Sequence, residues 1–266
     1  EELVMPSRKL VANGLRMDVE EEGEGPVVLL AHGFPETSYA WRHQLVALAR
    51  AGFRAVAPDM RGYGETESPT SVSRYSIFDL VGDLVGLLDA LNCDRAVIVG
   101  NDWGSTVAWQ AALMRPDRFR GVVAIGVPMM GSPPVPPTSL FPQSDTELFY
   151  TLYFQEPGIA EAEFERDIGA TLRKILFSAS REAGAREEGD GTPDPFGMVS
   201  PMKGMLAPLP APDILPQWLS ETDFAHYVDA FGQTGFSGGL NYYRNLVANW
   251  NLQRSLHGLK VEVPAV

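Results

Sequence analysis

The chain has 266 residues, enough for one large domain or for a core domain carrying a sizeable insertion, and 45% of them are hydrophobic, which excludes a disordered chain on composition. A formal net charge of −13, without basic clusters, argues against binding to nucleic-acid phosphates or anionic membranes. The single cysteine, Cys93, excludes an intrachain disulfide framework and a Cys-rich metal site, and fits a reducing compartment.

The N-terminus, Glu1 to Pro6, lacks the basic and apolar stretches of a signal peptide, and no apolar run approaches the ~20 residues that span a bilayer. The expectation is a cytoplasmic protein with no membrane span and no nucleic-acid partner. Along the chain, Leu15 to Val19 reads as a short strand, turned by Gly23, Gly25 and Pro26. Val27 to Ala31 is an apolar run of the kind expected for a buried strand, Thr37 to Ala51 is helical in pattern, and Gly52 ends it. Arg54 to Pro58 is the next strand, followed by the turn-rich Asp59 to Gly64. Tyr75 to Leu91 carries Ile77, Leu80, Val81, Leu84, Leu87 and Leu88 at helical spacing. Ala96 to Val99 is a strand, Gly104 to Arg115 a helix and Gly121 to Val127 a further strand. Alternation of this kind predicts an α/β fold with a mostly parallel sheet and helices on both faces.

The alternation then stops. Pro128 to Pro142 reads as a loop, and from Asp145 to about Trp250 the pattern is helical, as in Ala160 to Phe177 and Phe224 to Phe231, interrupted by a Gly/Pro-rich loop from Gly189 to Pro216. Val261 to Val266 resembles the start of another core strand. The expected organisation is a core over 1–130, a helical lid over 131–250, and a return to the core over 251–266 that ends before the remaining C-terminal strands.

Gly100-Asn101-Asp102-Trp103-Gly104 lies between a predicted strand and a predicted helix. Small residues two positions either side of a central nucleophile permit a tight strand-to-helix turn that thrusts the central side chain above the sheet edge, at a helix N-terminus whose dipole favours an anion. The central residue here is an aspartate. A carboxylate needs no base to activate it and can displace at an sp³ carbon to form an ester, so strained ethers and carbon–halogen bonds are suitable targets. The plainer reading, a turn with an N-cap aspartate, is disfavoured by the strand before and the helix after. His32-Gly33-Phe34-Pro35-Glu36 follows the first buried strand, where such folds supply one oxyanion-hole amide. The backbone N–H groups of Phe34 and Trp103 are therefore the expected oxyanion donors. His32 reads as a structural histidine bracing the loop, and Phe34-Pro35 as a candidate cis peptide.

Together these motifs resemble the epoxide hydrolases of the α/β-hydrolase superfamily, most nearly the soluble epoxide hydrolase-like branch, from about Pro26 to Trp250. Asp59-Met60-Arg61-Gly62-Tyr63-Gly64 is similar to a loop common in that family. Leu152-Tyr153-Phe154-Gln155-Glu156-Pro157-Gly158 resembles the segment bearing the first lid tyrosine, and Gly239-Leu240-Asn241-Tyr242-Tyr243-Arg244-Asn245 the segment bearing the second, which falls on Tyr243. The resemblance implies an α/β-hydrolase fold with a helical lid, and conversion of a small apolar epoxide and water to a vicinal diol through an ester on Asp102. Tyr153 and Tyr243 would act as proton donors to the ring oxygen. No cofactor and no metal are implied, and a homodimer is compatible with the reading. Asn101 departs from the histidine often found there. The family also places an acid and a water-activating histidine after the lid, and none of His32, His43, His226 and His257 lies in that context. Two alternatives stand beside this reading. A haloalkane dehalogenase would share Asp102-Trp103 but usually has an Asn where Phe34 stands, and a ligand-binding protein on a hydrolase scaffold would lack turnover.

Overall fold

The computed structural model describes residues 7–183 and 195–266, so the expectation for Glu1 to Pro6 and part of the expected Gly189–Pro216 loop lie outside the described residues. The chain divides into two compact units, one formed by Glu1–Pro133 with Ala248–Val266 and the other by Pro134–Val247.

The first unit is built on a six-stranded sheet. Its strands are β1 (Ser7–Ala12), β2 (Leu15–Glu22), β3 (Val27–Ala31), β4 (Arg54–Pro58), β5 (Ala96–Asn101) and β6 (Phe119–Ile125), in the spatial order β1-β2-β4-β3-β5-β6. β1 and β2 are antiparallel to their neighbours, whereas β4, β3, β5 and β6 run parallel. Helices α1 (Arg42–Arg50), α2 (Ile77–Ala90) and α3 (Trp103–Met114) make the crossovers that parallel strands require. Every residue of β3 is buried, so both faces of this central strand are covered. Val28 and Leu30 alternate to one side, where with Ala55 and Ala57 of β4 they pack against Trp41 and Leu45. The last residues continue the sheet: Val122 N–H donates to Pro264 O at 2.9 Å, and Val266 N–H donates to Val122 O at 3.0 Å.

Several boundaries differ from expectation for identifiable reasons. The stretch expected as one helix from Thr37 begins as a 3-10 turn, Ser38–Trp41, because Asp59 Oδ1 draws the Ser38 N–H at 2.9 Å before α1 starts. A strand precedes the expected first one: Asn13 and Gly14, with φ of 52° and 72°, form the two-residue hairpin turn that joins β1 to β2. α2 starts behind a capping box, in which Ser76 Oγ accepts from the Asp79 N–H and Asp79 Oδ2 from the Ser76 N–H.

The second unit is mainly helical, with a short antiparallel pair, β7 (Leu148–Phe149) and β8 (Met198–Val199). Its helices are α4 (Tyr150–Tyr153), α5 (Ile159–Phe164), α6 (Ile168–Ala179), α7 (Glu221–Thr234) and α8 (Ser237–Arg244), with α9 (Leu246–Gln253) crossing its boundary. The helix expected over Ala160 to Phe177 is broken at Asp167, whose Oδ1 accepts from the Ala170 N–H at 2.8 Å and so caps a new helix.

Candidate functional site

Strand β5 delivers the chain to Asp102, and α3 begins one residue later. The backbone turns so sharply that Asp102 takes φ 53° and ψ −121°, a conformation a non-glycine residue adopts at an energetic cost. The flanking glycines make the bend sterically feasible. A Cβ on Gly100 would overlap the carbonyl oxygen of Gly104, and one on Gly104 would overlap that of Ala31 at the end of β3. Ser105 Oγ braces the turn, 2.8 Å from Gly100 O and 2.7 Å from Ile125 O.

The Asp102 carboxylate is held where it is by backbone. Phe34 N–H donates to Oδ1 at 2.8 Å, and Trp103 N–H is the second backbone donor to the group. Burial pushes the Asp102 carboxyl above its ordinary range, and these two donors oppose that shift. If Oδ2 forms the bond in a displacement, Oδ1 becomes the ester carbonyl oxygen. That is the atom on which negative charge develops when water attacks, and a donor is already on it.

His32 supports the loop that carries Phe34. Its Nε2 accepts from the Met60 N–H at 2.9 Å, which puts the ring proton on Nδ1, 3.0 Å from Gly33 O. Burial lowers its basicity, so the ring is held as a neutral brace. The Phe34-Pro35 bond is cis. Asp59, at the start of the 59–64 loop, accepts from the Ser38 and Glu65 N–H groups, each at 2.9 Å. Beside the elbow, Asn101 Nδ2 donates to Glu36 Oε2 at 3.2 Å. Burial, with the Asp102 charge adding to it, pushes the Glu36 carboxyl up. Among the described residues no three His, Cys, Asp or Glu side chains are grouped to hold a metal, and no helix is long and apolar enough to cross a membrane.

In the second unit the two expected tyrosines have different surroundings. Tyr153, at the end of α4, is buried, and its hydroxyl donates to Glu163 Oε2 at 2.7 Å. The same carboxylate accepts from the Met205 N–H at 3.0 Å and, through Oε1, from the Leu206 N–H at 2.9 Å. Tyr243 in α8 is ringed differently. Tyr150 stands edge-on to it with ring centroids 5.8 Å apart, and Phe154 does so at 5.0 Å. Tyr150, half-buried at the start of α4, also meets Phe149 at 4.7 Å and Phe196 at 5.3 Å.

Residues 26–181 match the family model described as alpha/beta hydrolase fold. The chain is 45% identical over 265 residues to Epoxide hydrolase A of Mycobacterium tuberculosis, covering 98% of this chain and 80% of that protein. It is 39% identical to Bifunctional epoxide hydrolase 2 of Sus scrofa, covering 97% of this chain and 44% of that one. The solved structure of an epoxide hydrolase from an endophytic Streptomyces superimposes with a TM-score of 0.93 at 39% identity, over 98% of this chain and 78% of that one.

This chain belongs to the epoxide hydrolases of the α/β-hydrolase fold. Tyr150, which the resemblance did not single out, is the tyrosine of this segment whose ring meets that of Tyr243. Tyr150 and Tyr153 lie one helical turn apart in the same short segment, so spacing alone does not separate them. The tie between Tyr153 and Glu163 and the ring contact between Tyr150 and Tyr243 do. Haloalkane dehalogenation, the alternative, would want a side-chain N–H donor at position 34, and this epoxide hydrolase has Phe34 there.

Proposed function

We propose that the chain adds water to a small apolar epoxide, giving a vicinal diol, with Asp102 as nucleophile and Tyr150 and Tyr243 as proton donors. Asp102 Oδ2 bonds to a ring carbon as that carbon's bond to the ring oxygen breaks. A phenol gives its proton to that oxygen, which would otherwise leave as an alkoxide. The product is a hydroxyalkyl ester. Water then adds to the ester carbonyl carbon, and Phe34 N–H and Trp103 N–H hold the charge on Oδ1, each donor worth about 3 kcal/mol. Collapse releases the diol and returns the carboxylate, one of whose oxygens now comes from water. The proton that hydrolysis releases passes through solvent to the phenoxide left by the first step, so the phenol is restored and no net proton is taken up. An apolar substrate is favoured by the rings of Phe149, Phe154 and Phe196 around Tyr150.

The observation that carries this reading is the Asp102 carboxylate at φ 53° with its Oδ1 on the Phe34 N–H. The test is incubation with styrene oxide in heavy-oxygen water, followed by mass spectrometry of the Asp102 peptide. Expected are a styrene oxide adduct on Asp102 in rapidly quenched samples, heavy oxygen in its carboxylate after turnover, and neither in Asp102→Asn. Diol formed with no label and no adduct on Asp102 would sink the mechanism, and a stable adduct without diol would favour the binding-protein alternative.

A further inference from the structure

The richest unassigned arrangement lies beside Tyr243. We propose that Arg244 is a positioning residue that, clamped on Glu161, fixes the tyrosine pair Tyr150 and Tyr243 relative to one another. The inference rests on the reading above that these phenols protonate the opening ring.

Arg244 follows Tyr243 at the C-terminus of α8. Its guanidinium meets Glu161 as a fork: Nη1 donates to Oε1 at 2.7 Å and Nη2 to Oε2 at 2.9 Å. The pair is shielded from water, with the two side chains 4% and 11% exposed. Its remaining donors reach the chain that follows Tyr150. Nε donates to Phe154 O at 3.0 Å and Nη2 to Glu156 O at 3.5 Å, while Nη1 also donates to Asn241 Oδ1 at 3.1 Å, within α8. Glu161 itself accepts from the Gly158 N–H and the Ser237 hydroxyl, so it touches both segments as well. A second link runs the same way: the Gln155 amide donates to Thr151 O at 2.8 Å and to Tyr243 O at 3.1 Å.

The segment starting at Tyr150 and the helix ending after Tyr243 are thus laced together by the Arg244 and Gln155 side chains. Only a planar, five-donor group fills this role, because an ammonium has neither the fork nor the reach to two carbonyls at once. General acid catalysis depends on the phenols' placement over the breaking bond, and a misplacement of about 1 Å is enough to cost ~10²-fold.

The experiment follows single turnovers of styrene oxide in wild type, Arg244→Lys, Glu161→Gln, Tyr243→Phe and the double variant Arg244→Lys/Tyr243→Phe. Formation of the Asp102 ester and its hydrolysis are timed separately. Expected is a slowing of ester formation by roughly tenfold or more in Arg244→Lys and a smaller slowing in Glu161→Gln. Ester hydrolysis, which needs no phenol, keeps its wild-type rate. In the Tyr243→Phe background the lysine substitution should cost little more, because the group it positions is gone. Equal slowing of both steps, or full additivity with Tyr243→Phe, would show a merely structural role and overturn the proposal. If Arg244→Lys does not fold, the same comparison on Glu161→Gln decides. Should wild type form no Asp102 ester, or Tyr243→Phe leave ester formation untouched, the proposed function fails. Should those two behave as expected while neither clamp variant slows ester formation, this inference fails alone.

Discussion

Asp102 is a residue whose backbone is strained, whose carboxyl is pushed up by burial, and whose charge is supported by two N–H groups, one from the loop after β3 and one from the first residue of α3. Each condition makes sense for a nucleophile that must be exposed to substrate yet aimed. Two tyrosines of one short segment are held in different ways. Tyr153 and Tyr150 are chemically identical, but the Tyr153 hydroxyl is spent on Glu163, which also gathers the Met205 and Leu206 amides. Tyr153→Phe should therefore loosen the 205–206 segment and cost roughly 1.5–3 kcal/mol of stability, the usual net worth of a hydrogen bond to a charged group. It should leave the rate of Asp102 ester formation within about twofold, whereas Tyr150→Phe should lower that rate on the order of 10²-fold. Thermal denaturation and single-turnover kinetics on the two variants separate the assignments, and a collapse of ester formation in Tyr153→Phe would reverse them.

At the level of elements, the 59–64 loop is tied into the first unit by a buried ion pair. Arg61 and Asp83 are 0% and 2% exposed at the side chain; Arg61 Nε and Nη2 donate to the Asp83 oxygens at 2.7 and 2.6 Å, and Nη1 donates to Arg74 O at 3.0 Å. Asn13 Nδ2, from the β1–β2 turn, joins the same carboxylate at 3.0 Å. The turn can lie on α2 because Gly86 has no side chain: a Cβ there would stand 2.6 Å from the Asn13 backbone nitrogen. One carboxylate on a helix thus pins a hairpin and a loop. Asp83→Asn leaves the guanidinium buried without its charge partner and should destabilise the protein by roughly 3–5 kcal/mol, read from urea unfolding. Replacing both partners with apolar residues of similar volume should cost much less; an equal loss would show that the pair itself is strongly stabilising. The hairpin has a local signal in Asn13-Gly14, a turn pair that the expected strand starting at Leu15 does not use. β1 escaped because Ser7-Arg8-Lys9 is exposed and carries no apolar alternation. The join between α5 and α6 was missed because a continuous apolar period over Ala160 to Phe177 outweighs a single capping Asp167 when only the sequence is read.

Across the whole molecule, the charge balance of −13 is concentrated in places as well as spread over the surface. Glu20 on β2 is buried, with one oxygen 3.2 Å from the Ser38 hydroxyl and the other, Oε2, without a protein partner among the described residues. Burial, then the neighbouring Asp59 and Asp18 against a weaker pull from Arg42, raise its carboxyl to about 7 from an ordinary 4.5. The folded chain therefore binds this proton more tightly than the unfolded chain. The stability this supplies is complete below about pH 4.5 and disappears as pH rises through about 7, a swing of up to about 3 kcal/mol. The urea midpoint of wild type should fall between pH 5 and pH 8, and in Glu20→Gln the fall should shrink; an unchanged slope would mean that Glu20 titrates normally. The sequence by itself determined the alternating architecture and the sharp turn with an aspartate at its centre. Those features are written in short-range patterns of apolar period, glycine spacing and one unusual residue at a turn centre. Only the tertiary structure decided that Tyr150 stands beside Tyr243, that Tyr153 and Arg244 are held by Glu163 and Glu161, and that Glu20 is buried among other acids. Each of these depends on which distant segment shares a hydrogen bond or a ring contact, and local spacing carries no record of that.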